Sequence, residues 1–402
     1  MIFKIIIRKI LLSLIFILDL IIPKNKLLLL LNSDPDFSHN ALAFYLYLVK
    51  NNFHKKYKIV WALHSNKSIY FLNSYTKKKL SIKINSIKFY KKKSLIGIYI
   101  YLRSKYVFYT HGIYKGVKIP KNKTVCNLWH GMPMKNVGLQ HNTSISEIEK
   151  FTFIFINSEY FINIFKKTFF IEKNQIKITG QPIIELFDKK KNDHFMERYF
   201  DIFNINQLFI WMPTWRVSDK KDFLNNSDIS NQSDISNEID IFPLIKNTFE
   251  LFTIDNLLKD KNNYLMVKIH SFNKGMMIDQ SKLTNIIILD EDLLQKKNLN
   301  IYEILPYSDV LISDYSSIVI DYLLLRKPIV SVINPDENYK RKINKEIFND
   351  IFLDSNQIYD FEKLKKLFSS NLAISIIPEN IIDKYNFYKK ETSKNIIDTL
   401  NL

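Results

Sequence analysis

The chain has 402 residues, of which 47% are apolar and 14% aromatic, and a net charge of +18. That length exceeds what one compact core holds and predicts two domains, while the apolar content excludes a disordered chain. A single cysteine, Cys126, excludes an intramolecular disulfide framework, and the excess of cations favours anionic partners such as phosphate substrates or acidic membranes.

The N-terminal stretch MIFKIIIRKILLSLIFILDLIIPKNK is almost unbroken in its apolar run and flanked by Lys4, Arg8, Lys9, Lys24 and Lys26. No small-residue cleavage site follows it, which argues against a signal peptide. A spanning helix would leave Asp19 in lipid at a cost of a few kcal/mol. An interfacial helix over residues 1–24, its cations on anionic headgroups, fits with less strain. The competing reading is a helix packed on its own domain.

After Pro23, a leucine run at 27–31 predicts a fully buried strand, and NSDPDFSHN supplies turn formers and helix caps. A helix over 41–49 and a strand over 57–63 follow, then a helix at 94–104 and strands at 106–110, 124–129 and 151–157. A helix from Glu159 and a strand at 175–180 complete the first series. Beyond the polar stretch 189–207, a second series opens with LFIWMPTW at 208–215. The Ser/Asn/Asp-rich tract 218–240, which repeats SDIS, predicts an exposed, mobile insert. Then come a helix over 242–258, strands YLMVKIH and NIIIL, a helix at 300–307, strand DVLIS, a helix at 316–325 and strand PIVSV. A last helix, 379–399, is placed to cross back to the first lobe. Strands that are apolar throughout and alternate with helices indicate parallel sheets covered on both faces. The expected architecture is therefore α/β: two doubly wound lobes, 25–200 and 201–402, facing a cleft.

In such sheets ligands bind outside the carboxyl ends of the strands. Five polar clusters fall there: Trp129-His130-Gly131, running into Met132, Pro133 and Met134; Thr179-Gly180; Pro213-Thr214-Trp215-Arg216; Lys268-Ile269-His270; and Ser313-Asp314-Tyr315-Ser316-Ser317. Singly, each has a plain structural explanation: a scaffold histidine, a surface arginine, an aspartate or serine capping a helix. Together they point to a site. Serines and free amides at the start of helix 316–325 form an anion cradle. There is no G-x-G-x-x-G or P-loop before a helix, no G-x-S-x-G elbow, and no H-E-x-x-H, cysteine pair or acidic metal box. A dinucleotide enzyme, a P-loop enzyme, a serine hydrolase and a dedicated metal centre are thus not expected. Scattered lysines, without stacking aromatics on one face, argue against nucleic acid as a partner.

NLWHGMPMKNVG, KITGQP, MPTWR, VKIHSF and ISDYSSIVIDYLLLRKPIV, in that order, resemble the CDP-glycerol glycerophosphotransferase family, whose members build teichoic acids and related polyol-phosphate polymers. The resemblance implies a GT-B-like fold with the nucleotide held mainly by the C-terminal lobe. It also implies a CDP-glycerol or related CDP-polyol donor, a lipid-linked acceptor, no cofactor, and peripheral attachment to the cytoplasmic face of the membrane. By residue, it implies His130 as catalytic base and His270 on the phosphates. Thr214, Trp215 and Arg216 match its PTWR element, Ser316 and Ser317 its phosphate-binding serines, and Asp321 an acidic residue one turn on. Gly131, Met132, Pro133, Met134, Lys268, Ile269 and Asp314 complete the expected substrate contacts. Three positions depart from the pattern: Ile183 where an arginine facing the donor is usual, Val217 after PTWR, and Ser271 after the second histidine. The first keeps open a ribitol-phosphate transferase or a nucleotide-sugar glycosyltransferase of the same fold. A non-enzymatic basic protein on membrane or nucleic acid is the rival from another class.

Overall fold

A computed structural model describes residues 2–65, 69–81, 87–140, 144, 148–187, 194–214, 242–269, 280–335, 342–369 and 374–402, with side chains of the first helix from Ile10 onward. The expected insert 218–240 lies outside these residues. Two compact units divide the chain: Met1–Phe187 with Ile382–Leu402, and Asp188–Ile381. The division falls before the expected boundary at 200, and the C-terminal segment belongs to the first unit.

The first unit is built on seven strands: β1 (Asn25–Asn32), β2 (Lys58–Leu63), β3 (Lys88–Lys91), β4 (Ser104–Tyr109), β5 (Thr124–Asn127), β6 (Phe153–Ile156) and β7 (Ile176–Ile178). They form one parallel sheet in the order β3-β2-β1-β4-β5-β6-β7. Its helices are α1 (Ile2–Ile21), α2 (His39–Lys50), α3 (Phe53–Lys56), α4 (Ile69–Leu80), α5 (Leu95–Arg103) and α6 (Ile162–Phe169). Leu28, Leu29, Leu30 and Leu31 are all buried because β1 is central, with Leu30 in register between Val60 and Val107. Edge strand β3, KFYK, has no apolar run, which is why composition alone did not mark it.

The second unit has six strands: β8 (Leu208–Met212), β9 (Tyr264–Lys268), β10 (Ile286–Leu289), β11 (Val310–Ser313), β12 (Ile329–Val332) and β13 (Gln357–Ile358). They too are parallel, in the order β10-β9-β8-β11-β12-β13. Around them lie α7 (Phe195–Phe200), α8 (Thr248–Asp260), α9 (Glu291–Lys296), α10 (Ile301–Ile304), α11 (Ile318–Tyr322), α12 (Lys345–Ile351) and α13 (Phe361–Ser369). Side-chain caps start several of them: Asn247 accepts from Glu250 N at 2.9 Å, and Asp290 from Leu293 N at 2.7 Å. The expected helix 316–325 is shorter than its pattern suggested. It is one five-residue α-turn followed by a 3₁₀ turn, Leu323–Leu325, that ends at Arg326 with φ 54°. The dipole available to an anion there is correspondingly smaller.

The expected single helix 379–399 is two, α14 (Glu379–Tyr385) and α15 (Thr392–Leu400). The break lets the chain dock on the loops after β6 and β7. Asn157 Nδ2 donates to Asn386 Oδ1 at 2.7 Å, and Phe387 N donates to Asn157 O at 3.1 Å. Glu185 accepts from Thr392 Oγ1, Ser393 N and Ser393 Oγ at 3.0, 2.7 and 2.8 Å.

Asp19, which a spanning helix would bury in lipid, is instead buried in protein. Its carboxylate meets Lys123 Nζ at 2.9 and 3.0 Å and Lys24 Nζ at 2.9 Å. Lys123 also donates to Tyr101 O at 2.7 Å and lies 3.4 Å from the centre of the Tyr101 ring. Lys24 was expected on headgroups, yet its ammonium is turned onto the end of α1, a correction to that expectation. Among the described residues no helix is long and apolar enough to cross a membrane. Leu14, Ile17 and Ile21 of α1, and Leu95, Ile96 and Tyr99 of the adjacent α5, remain exposed.

Candidate active site

Strand order reverses between β1 and β4 in the first sheet and between β8 and β11 in the second. Helices diverge to opposite faces at these points, opening a crevice at the carboxyl ends of the strands. The described residues of the clusters after β5, β8, β9 and β11 fall at or beside them, whereas Thr179-Gly180 follows the edge strand β7.

In the first unit the loop after β5 is held from several sides. Trp129 takes φ 58° and Gly131 φ 126°, a pair of left-handed residues that turns the chain sharply. Asn127 Oδ1 accepts from Trp129 N at 2.8 Å, and Trp129 Nε1 donates to Gly131 O at 2.7 Å. The Trp129 indole stands edge-on to Phe165 and Phe169, ring centres 5.4 and 5.3 Å away. Buried Asn40 donates to Leu128 O and Trp129 O at 2.9 and 3.0 Å and accepts from Ile183 N at 2.9 Å. It thereby joins this loop to the one after β7.

His130 sits half-buried on this scaffold. Its Nδ1 is 3.1 Å from Thr110 O. A carbonyl only accepts, so Nδ1 carries the proton and the Nε2 lone pair is left for an outside donor. Burial, then His39, and Lys115 further on, press its pKa down to about 3, against the bond to Thr110 O, which raises it. His130 is therefore neutral at ordinary pH, with Nδ1 protonated and Nε2 bare. Its neighbours Gly131, Met132, Pro133 and Met134 were expected to touch substrate, but all four are buried. Met132 and Met134 are at most 1% exposed, so they fill the core beneath the loop. Ile183 is likewise buried, which leaves an apolar side chain in the core where the resemblance implied a donor-facing arginine.

In the second unit, Thr214 N and Oγ1 both donate to Asp314 Oδ1, at 2.9 and 2.5 Å, across the β8/β11 switch point. Asp314 is fully buried, and its carboxylate ties the segment after β8 to the loop after β11. Ser316 and Ser317 are half-buried, and α11 begins without a side-chain cap from Ser317, so capping does not use that hydroxyl. Lys268 pairs with Glu291 at 2.8 Å, and Ile269 packs on the apolar core behind β9. Asp321 is fully buried and accepts from Tyr302 OH at 2.6 Å, which ties α11 to α10 and turns the carboxylate away from solvent. Trp215, Arg216 and His270 lie outside the described residues, as do Val217 and Ser271.

Two histidines beside His130 were not singled out from sequence. His111 stacks on it with ring centres 3.8 Å apart and planes 18° from parallel. His39 lies 5.3 Å from His111 and 6.2 Å from His130. A signal was present: Thr110-His111-Gly112 follows β4 just as Trp129-His130-Gly131 follows β5. Adjacency of the two strands is what brings the pair together. Among the described residues no group of histidine, cysteine and carboxylates is arranged to hold a metal ion.

A profile of the family CDP-Glycerol:Poly(glycerophosphate) glycerophosphotransferase matches residues 14–370. Among relatives, a teichoic acid poly(glycerol phosphate) polymerase of Bacillus spizizenii is 22% identical, over 87% of this chain and 82% of its own. A teichoic acid poly(ribitol-phosphate) polymerase of the same organism is 25% identical over 72% of this chain, which spans only 43% of that protein. The wall teichoic acid polymerase TagF, in a form carrying one histidine substitution, superposes with a TM-score of 0.64 at 18% identity, over 97% of this chain and 87% of TagF. A second histidine variant of TagF, soaked with CDPG, gives the same score at 16% identity. Two parallel-sheet lobes of the GT-B kind are thus a fold shared with TagF, as the motif order implied. With a profile match spanning most of its length, the chain belongs to the CDP-glycerol:poly(glycerophosphate) glycerophosphotransferase family.

Proposed function

We propose that the protein transfers a polyol phosphate, glycerol phosphate first among the candidates, from a CDP-activated donor to a hydroxyl of a lipid-linked acceptor. The observation that carries this reading is His130, tautomer fixed by Thr110 O and Nε2 left free at the end of β5. The acceptor oxygen attacks the phosphorus that bears the polyol, the bond from that phosphorus to CMP breaks, and CMP leaves. Nε2 takes the hydroxyl proton, an effect worth about 10²–10⁴-fold. A substrate phosphate close to His130 raises its basicity, offsetting the burial that lowers it in the free protein. Ser316 and Ser317, with Arg216 and His270 from the motif match, are assigned to the diphosphate. Thr214 donates to Asp314 in the loop that carries Ser316 and Ser317.

Family membership favours CDP-glycerol, and the ribitol-phosphate relative makes CDP-ribitol the natural competitor. CMP release from a panel of CDP-glycerol, CDP-ribitol and nucleotide sugars tests the assignment. Release from CDP-glycerol that needs an added acceptor is expected. Turnover of nucleotide sugars alone would overturn the reading.

We place the protein on the cytoplasmic membrane surface through the outward side chains of α1 and α5. Leu14, Ile17 and Ile21 of α1 and Leu95, Ile96 and Tyr99 of the neighbouring α5 are exposed apolar side chains suited to an interfacial contact. The net charge of +18 supports an anionic surface as its counterpart.

A further inference from the structure

His111 has no part in the reaction as proposed, yet its ring stacks on His130 with centres closer than those of Trp129 or His39. Its Nδ1 is 2.9 Å from Thr110 Oγ1, while the carbonyl of that same Thr110 holds His130 Nδ1. Thr110 is fully buried and follows β4 directly, so one rigid residue anchors both rings. The planes are 18° from parallel at 3.8 Å. Stacked imidazoles point their nitrogens past one another, so a proton does not pass between them, and His111 is neither a relay nor a second base. A π face against His130 instead restricts rotation of that ring and tolerates the imidazolium it becomes, provided that His111 stays neutral. Burial first, then His130, His39, Lys115 and Lys92, hold His111 well below the usual histidine range.

We propose that His111 is a positioning residue for His130: anchored at Thr110, its ring face fixes the plane in which His130 Nε2 meets the acceptor hydroxyl. This rests on the reading of His130 as the proton acceptor.

The test compares His111→Phe with His111→Leu in the full chain. Both fill the volume with apolar atoms, but only phenylalanine offers a flat face. At saturating CDP-glycerol and acceptor, His111→Leu is expected to lose at least about 30-fold in kcat, the scale of a small misplacement of a catalytic group, with donor KM nearly unchanged. His111→Phe is expected to stay within about threefold of the parent. In ¹⁵N spectra, His130 keeps the single Nδ1–H tautomer in the parent and in His111→Phe, and shows mixed tautomers in His111→Leu. Should His111→Leu not fold, His111→Gln, flexible and without a ring, takes its place under the same criterion. Equal kcat in the ring-bearing and ringless variants overturns the proposal. His130→Gln, assayed in parallel, separates the two readings. If it keeps more than about a tenth of the activity, the base assignment itself fails. If it is inactive while His111→Leu turns over normally, only the positioning role falls.

Discussion

Asn40 on α2 donates to the carbonyl of Trp129 at 3.0 Å, from a site with no exposed surface. The same amide side chain reaches Leu128 O and accepts from Ile183 N. One residue thus satisfies three backbone groups of two loops that lie far apart in sequence, and His130 stands on the first of those loops. Removing it leaves buried backbone groups without partners. Asn40→Ala is expected to destabilise the protein by about 3 kcal/mol and to lower kcat as the histidine loop loosens. Urea denaturation with parallel kinetics checks this. Stability within about 0.5 kcal/mol of the parent would contradict it.

Ser316→Ala with Ser317→Ala is expected to weaken donor binding at least about tenfold, since each lost bond to a charged oxygen costs roughly 1.5–3 kcal/mol. Because no side-chain cap from Ser317 starts α11, the melting temperature is expected to hold. Calorimetry with CMP and with the full donor locates the contact: a smaller loss for CMP assigns the serines to the distal phosphate. An earlier melt with unchanged donor affinity would remove them from the site.

Breaking the buried pair between Asp19 and Lys123 is expected to cost more than forming it gains. Lys123→Met strands a carboxylate with Lys24 alone and is expected to lose about 3 kcal/mol, whereas Asp19→Leu with Lys123→Met recovers most of that. Both proteins are read out by denaturant midpoints. A double variant no better than the single one counts against the pairing as the cause.

Membrane binding is tested without deleting α1, since deletion would leave Lys123 buried without its carboxylate. Ser in place of Leu14, Ile17 and Ile21 is expected to release the protein from anionic vesicles while a water-soluble acceptor analogue is still used. Retained vesicle binding would show that the exposed face of α1 is not the contact.

Acid is expected to destabilise the protein partly through its stacked histidines. His130 titrates near 3 in the folded chain against 6.5 when free, and His111 is lowered as well. Below about 6.5 the unfolded chain therefore binds protons that the folded chain does not, and stability falls as pH drops from there toward 3. His111→Phe removes one of these groups, so its melting temperature is expected to decline less steeply over that window. Parallel curves for parent and variant would assign the loss to other groups.

The leucine run of β1 and the apolar blocks of β2, β8 and β11 announce themselves as buried parallel strands, because a strand covered on both faces has no polar side to show. The order of the histidine, serine and threonine motifs along the chain likewise carried the family, and with it the fold. Local pattern fell short where partners come from elsewhere. β3 is an edge strand among lysines, α11 stops after five residues, and the C-terminal helix breaks where Asn157 and Glu185 capture it. Asp314, read as a cap or a ligand, proves to be the acceptor for Thr214, 100 positions away. Asp19, a liability in lipid, becomes an anchor only because Lys123 is brought against it. The chemistry of His130 depends most on what lies outside its motif. A histidine beside a glycine says that a proton acceptor is available. Which nitrogen accepts, and in which plane, follows from a carbonyl and a second imidazole on the neighbouring strand, and strand adjacency is a property of the folded sheet, not of the sequence interval.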